Sequence, residues 1–133
     1  MTWTRTPGVV TALLLTCALP RGLGADEQAP RSLKVLFVGN SYTWRLPESI
    51  AKLAMSGKRR LVFRAIHPGG CNLKRHCEDG AVFKALKQKR WQRVVLQEQS
   101  QTPSFPEAQR RRDMNPFALR LCEAARARGA KPL

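Results

Sequence analysis

Residues 34–44 read Lys-Val-Leu-Phe-Val-Gly-Asn-Ser-Tyr-Thr-Trp, an apolar run that stops at Gly39 and is followed by Asn40 and Ser41. A continuous run of β-branched and aromatic residues is typical of a strand buried in a parallel sheet. In open α/β sheets, ligands bind beyond the carboxyl ends of such strands. The pattern therefore puts Ser41 where a nucleophile would act, and a strand with a merely polar turn after it is the alternative.

The stretch that follows, up to Lys58, predicts a helix close behind this turn. Its apolar residues recur at helical spacing, and Pro47 stands where a first-turn proline is favoured. Because a helix N-terminus carries partial positive charge, a helix that begins near Ser41 would favour negative charge developing there.

The remaining sequence alternates strand and helix patterns. Strands are predicted over residues 61–66 and 93–96, helices over 81–89 and from 115 to near 129, and a loop over Pro103, Pro106 and the arginine run behind them. Strands and helices in this order favour an α/β fold with a doubly wound, flavodoxin-like parallel sheet, flanking helices and right-handed crossovers.

The first 25 residues have the pattern of a secretory signal peptide. Arg5 precedes an apolar segment at 9–19, and small residues follow up to Ala25. The apolar segment is too short to span a bilayer, so an uncleaved anchor is the weaker alternative, and Thr16 disfavours lipidation at Cys17. We therefore expect a secreted or periplasmic protein with a linker at 26–32, a single domain at 33–133 and no transmembrane span after signal removal.

Three cysteines follow the predicted signal peptide: Cys71, Cys77 and Cys122. In an exported protein one pair can oxidise, and Cys71 with Cys77 is the nearest by sequence. A metal site with His76 lacks the paired Cys-x-x-Cys spacing and an evident fourth ligand. Structural thiols or a local disulfide are therefore expected, and no metal or cofactor is predicted, since phosphate-loop and dinucleotide patterns are also missing.

The formal net charge is +15, from 24 Lys and Arg against 9 Asp and Glu. Such a balance would support non-specific phosphate binding. The basic residues are spread over every predicted element, however, and no nucleic-acid motif is present, so we expect solvated basic faces and no specific nucleic-acid partner. An exported cationic protein that adheres to anionic surfaces is a more distant hypothesis.

Three segments together resemble the SGNH (GDSL-like) hydrolase superfamily, and a bacterial branch of it in particular. They are the Gly39-Asn40-Ser41-Tyr42-Thr43 turn, the His67-Pro68-Gly69-Gly70-Cys71-Asn72-Leu73-Lys74-Arg75-His76 loop and the Val94-Val95-Leu96-Gln97-Glu98-Gln99-Ser100 strand end. The resemblance covers residues 33–133. It implies an SGNH-type fold and a serine esterase that needs no cofactor.

The resemblance also implies roles for individual residues. Ser41 would be the nucleophile, and the Gly70 amide and the Gln99 side chain would stabilise the oxyanion. Gln99 falls at the position of the family asparagine, because Gln97-Glu98-Gln99-Ser100 replaces the usual Gly-x-Asn-Asp. The substrate-binding positions implied by the same segments are Asn40, Gly69, His76 and Glu98, and an exposed strand-end carboxylate is the alternative for Glu98.

The family's Asp-x-x-His segment has no counterpart in this sequence. The only histidines are His67 and His76, and neither has a visible carboxylate partner. We therefore expect the N-terminal part of an SGNH-type domain, truncated after the third strand and its helix, with an exposed sheet edge. Such a chain would act weakly or not at all on small-molecule or polysaccharide esters. A non-catalytic glycan-binding module is the alternative, and the oligomeric state is open.

Overall fold

Strands and helices alternate along residues 31–133, the part of the chain that the computed structural model describes. The strands are β1 (Ser32–Val38), β2 (Arg60–Ile66), β3 (Arg93–Leu96) and β4 (Lys131–Pro132). The α-helices are α1 (Leu46–Ser56), α2 (Leu73–Asp79), α3 (Ala81–Gln88), α4 (Glu107–Asp113) and α5 (Asn115–Arg126). The predicted signal peptide lies outside the described residues, and Ser32, assigned to the linker, already belongs to β1.

All four strands are parallel and lie in the order β2-β1-β3-β4. β1 is central: Val35 pairs with Phe63 of β2 on one side and with Arg93 of β3 on the other. The order is compatible with a flavodoxin-like sheet. The α/β class and the parallel sheet predicted from the sequence are thus confirmed.

The strand order determines which face of the sheet each helix covers. The connection from β1 to β2 runs in one direction along the sheet, and the later connections run in the other. Because such crossovers are right-handed, α1 lies on one face and the other helices on the opposite face. The contacts of α5 with α2 and α3 agree with this arrangement. The crossover direction reverses between β1 and β3, which makes their carboxyl ends the topological switch point.

The main core lies on the face that carries α2, α3 and α5. Leu36 and Val38 of β1 and Val94 of β3 are fully buried there. Trp91 lies beneath the helices, and its indole Nε1 donates a hydrogen bond to the Ala85 carbonyl at 3.0 Å. The helices contribute apolar side chains at helical spacing: Leu73, Cys77, Val82, Ala85, Leu86, Leu121 and Ala125.

Three elements differ from the predictions. β4 adds a fourth strand beside β3, through bonds from Lys131 N to the Gln92 carbonyl (3.0 Å) and from Leu133 N to the Val94 carbonyl (2.9 Å). The described sheet therefore has one short strand more than the three predicted from the sequence. The arginine run forms α4 rather than a loop, and the segment 73–79 forms α2 rather than an extension of the glycine loop.

No helix within residues 31–133 is both long enough and apolar enough to cross a membrane.

Candidate functional site

The turn after β1 is closed by hydrogen bonds from its own residues. Gly39 N donates to the Ile66 carbonyl of β2 at 3.0 Å, which continues the ladder past the strand end. Asn40 is only 2% exposed. Its Oδ1 accepts from Tyr42 N at 3.0 Å and thereby caps a short 3₁₀ helix at Ser41–Thr43. The turn that presents Ser41 is therefore held from inside by the buried Asn40 side chain.

The other end of the Asn40 amide fixes the glycine loop. Asn40 Nδ2 donates to the Cys71 carbonyl at 3.1 Å, a buried bond between segments 31 residues apart. Gly70 precedes Cys71 and has φ of +65°, a left-handed conformation that favours glycine. Because Cys71 is fully buried while Gly69 and Gly70 are exposed, this bond holds the exposed glycines beside the Ser41 turn.

Gln97 connects the end of β3 to the same turn. Its backbone N donates to the Val38 carbonyl at 2.8 Å. Its side-chain Oε1 accepts from Asn40 N at 2.9 Å and from Thr43 Oγ1 at 3.0 Å. Its amide nitrogen donates to the Glu98 carbonyl. Gln97 thus bonds to the backbone before Ser41 and to a side chain after it, at the topological switch point of the sheet.

Gly39 has no space for a side chain. A Cβ built on Gly39 would overlap Thr43 Oγ1 and Gln97 Oε1, the two atoms that hydrogen-bond to each other. Gln97 Oε1 can approach the turn only because residue 39 lacks a Cβ. The glycine of the Gly-Asn-Ser turn is therefore required by close packing against β3.

His76 lies in the interior beneath the turn. Its side chain, on α2, is 1% exposed, and Nε2 lies 2.8 Å from the Gly39 carbonyl. Because a carbonyl can only accept, Nε2 is the protonated donor. The structure thus places His76, a predicted substrate-binding residue, in contact with the backbone before Asn40. His76 therefore contacts the site through its hydrogen bond to the backbone of the Ser41 turn.

Glu98 and Gln99, the other two strand-end residues, are engaged with the backbone. Glu98 Oε1 accepts from Leu73 N at 3.2 Å and from Gln99 N at 2.7 Å, which ties the end of β3 to the start of α2. Gln99 Oε1 accepts from Gln101 N at 2.8 Å and from Thr102 N at 3.3 Å. The Gln99 amide nitrogen, the predicted oxyanion donor, makes no hydrogen bond to any described residue.

Ser41 is exposed at the surface of this assembly. Within residues 31–133 its hydroxyl has no hydrogen-bond partner, and neither His67 nor His76 is bonded to it. The structure therefore brings together the three predicted segments at one edge of the sheet and leaves the serine open to solvent. It does not pair the serine with a histidine.

Within residues 31–133, Cys71, Cys77 and Cys122 form no disulfide and are free thiols. Burial raises the pKa of the Cys71 thiol and of the Cys77 thiol, which keeps both protonated at neutral pH. Cys77 Sγ faces the Phe117 carbonyl at 3.6 Å. Over the described range, no group of three or more His, Cys, Asp or Glu side chains is placed to hold a metal ion. The first two cysteines accordingly belong to the packing around the site.

Brief treatment of the native protein with a maleimide should modify Cys122 at least about tenfold faster than Cys71 or Cys77, since the thiolate is the reactive form and burial disfavours it. Mass spectrometry of the peptides gives the rate at each cysteine, and labelling in denaturant provides the reference. Equal native rates at Cys71 and Cys122 would show that the glycine loop opens readily.

The residues that hold the site together were only partly predicted. Ser41, Asn40 and Gly70 were expected at this edge, whereas Gln97 and Thr43 had no predicted role. The signal for Gln97 is its position directly after a buried strand, which Gln99 does not share. Comparison of the chain with protein-family models, with curated proteins and with solved structures finds no match.

Proposed function

We propose that this protein is an exported serine hydrolase-type domain in which Ser41 accepts the acyl group of an ester. The observation that carries the proposal is the position of Ser41: an exposed hydroxyl on a rigid turn at the topological switch point between β1 and β3. Residues positioned by buried hydrogen bonds hold a reactive group more accurately than a mobile loop does.

Two features beside Ser41 support acyl-transfer chemistry. The exposed, left-handed Gly70 lies next to the anchored Cys71 carbonyl, so its amide is a candidate donor to an oxyanion. The Gln99 amide nitrogen has no partner among the described residues, so it is available for the oxyanion-donor role expected from its position. Ester substrates, with acetyl groups on a polysaccharide as the first class to test, follow from the resemblance.

Slow turnover is part of the proposal. Deacylation needs a general base for the attacking water, and His76 is buried with Nε2 occupied by the Gly39 carbonyl. His67 is half-buried and makes no bond to Ser41. An unassisted serine reacts well only with strongly activated electrophiles, so acylation of such a reagent is the sharper test of the site.

A fluorophosphonate probe should label Ser41, because its hydroxyl oxygen can displace fluoride from phosphorus with release of a proton to solvent. Ser41→Ala should abolish the adduct. Ser49→Ala is the matched control, since Ser49 is also exposed, on α1, and its hydroxyl donates to the Arg45 carbonyl at 3.0 Å. Intact mass and peptide mapping identify the adduct.

Labelling of Ser41 at the rate of Ser49, in protein with an unchanged circular dichroism spectrum, would overturn the hydrolase proposal. Rapid, Ser41-dependent turnover of p-nitrophenyl acetate would instead contradict the expected slow deacylation. The assignment of Ser41 as the nucleophile would then stand. The two outcomes separate the identity of the nucleophile from the efficiency of the base.

A glycan-binding module is the second candidate, and the exposed aromatic residues beside Ser41 favour it. Tyr42 is 72% exposed and Trp44 is 66% exposed, both within three residues of the serine. Their rings offer flat, amphipathic surfaces with a polar edge. Oligosaccharide binding that Trp44→Ala weakens and Ser41→Ala leaves unchanged, together with no probe labelling, would support this function over the hydrolase.

A further inference from the structure

Two adjoining depressions lie at the opposite end of the sheet from Ser41, where α3 and α5 end. The larger has a volume of about 490 Å³ and the smaller about 370 Å³. Arg90, Arg128 and Gly129 line both, so the two depressions form one open groove. We call it the basic groove, because its cationic side chains are Lys34, Lys87, Lys89, Arg90 and Arg128.

The cations of the basic groove have no acidic neighbours in the part of the chain that the structure describes. All five cationic side chains are exposed, and neither depression is lined by an aspartate or glutamate from residues 31–133. Among the described residues, none of the five forms a salt bridge, whereas arginines elsewhere do, as in Arg111 with Glu107 and Arg112 with Asp113. Like charges held close together repel one another, so an anionic ligand would relieve this repulsion.

The C-terminal ends of two helices would repel an anion at the groove unless nearby cations offset them. Both α3 and α5 end at the groove, and C-terminal carbonyls carry partial negative charge. One or two cations would only balance the helix ends. Five cations exceed that requirement and leave a positive surface, which in a chain of net charge +15 attracts ligands with several negative charges.

The aromatic ring and the two glutamine oxygens at the basic groove are already engaged within the protein. Trp91 is 4% exposed, its Nε1 is bonded to Ala85, and the Lys89 ammonium lies 5.2 Å from its ring. Gln92 Oε1 accepts from Lys34 N at 2.9 Å, and Gln88 Oε1 accepts from Arg64. Since none of the described lining residues presents an exposed aromatic ring, they offer no platform for stacking the bases of a single strand.

We propose that the basic groove binds a linear chain of closely spaced phosphates, of which inorganic polyphosphate is the simplest form. Arg90 and Arg128 would act in both depressions and form its centre, since guanidinium groups bind phosphate through paired hydrogen bonds. The site is independent of Ser41 and of the proposed hydrolase function.

The test is binding of fluorescently labelled inorganic polyphosphate to the full chain, measured by anisotropy at several salt concentrations. Arg90→Gln with Arg128→Gln should weaken binding about tenfold or more and make the salt dependence shallower by roughly 1.5 in logarithmic slope, as expected for two lost phosphate contacts. The matched control is Lys52→Gln with Arg59→Gln, an equal change of charge at exposed positions on and after α1.

An equal loss of affinity in the two double variants would overturn the proposal, because binding would then follow net charge. Thermal unfolding of both variants guards against misfolding, and a groove variant that folds normally and still binds like the parent would overturn the proposal too. Tighter binding of single-stranded DNA than of polyphosphate, compared per phosphate, would indicate that the groove recognises bases. This result would also overturn the proposal.

Discussion

Replacement of Gly39 by alanine should lower the free energy of unfolding by about 3 kcal/mol. This cost is the sum of overpacking and disruption of the two hydrogen bonds that Gln97 Oε1 accepts, from Asn40 N and Thr43 Oγ1. The added methyl would overlap Thr43 Oγ1 and Gln97 Oε1, and neither can move without breaking the bond between them. For a domain of this size the melting temperature should fall by roughly 12 °C or more. Circular dichroism during thermal and urea unfolding measures both quantities.

Gly57→Ala is the control for this experiment. Gly57 follows α1 with φ of −88°, and a Cβ there would lie 3.5 Å from the Ala54 carbonyl oxygen, an ordinary contact. Its stability should change by less than about 1 kcal/mol, since the alanine fits and the unfolded chain loses freedom. If Gly39→Ala proved as stable as Gly57→Ala, the close approach of Gln97 to the turn would not exist in solution.

The strands and α5 could be predicted because burial leaves a clear pattern in the sequence. β1 is buried on both faces over residues 35–38, so it appears as an unbroken apolar run. The helix from Asn115 has a first-turn proline and buries Leu121 and Ala125, which are spaced by one turn. In both cases the residue pattern is set by the surface that the element buries.

The two helices that were not predicted, α4 and α2, lack a clear apolar pattern at helical spacing. α4 buries no residue, and a polar helix of this kind depends on pairs such as Glu107 with Arg111, four positions apart. α2 has the N-cap Asn72, whose Oδ1 accepts from Arg75 N at 2.9 Å. Its buried face includes His76, a polar residue that an apolar count omits.

The candidate site could be predicted in position but not in its internal connections. Turns after parallel strands meet at one edge of a sheet, which places Ser41 near the ends of β2 and β3. Which of two nearby glutamines points toward the turn depends on the backbone path after β3. The structure turns the Gln97 side chain toward Asn40 and Thr43, and the Gln99 side-chain Oε1 toward the backbone N of Gln101.

Replacement of Gln97 by alanine should therefore destabilise the protein by about 2 to 4 kcal/mol and sharply reduce probe labelling of Ser41. The loss leaves Asn40 N, in a buried residue, and the Thr43 hydroxyl without their acceptor, and an unmade buried bond costs more than a formed bond gains. Urea unfolding gives the free energy, and the labelling rate reports the orientation of the turn.

Gln97→Glu is the informative comparison, because a carboxylate keeps both accepting contacts while its second oxygen repels the Glu98 carbonyl instead of donating to it. It should be less destabilising than Gln97→Ala. Alanine at both 39 and 97 should cost less than the sum of the single changes, since the methyl at 39 then has one fewer atom to overlap. Strict additivity would mean that the two residues do not compete for the same space, and the account of the turn as a packed unit would fail.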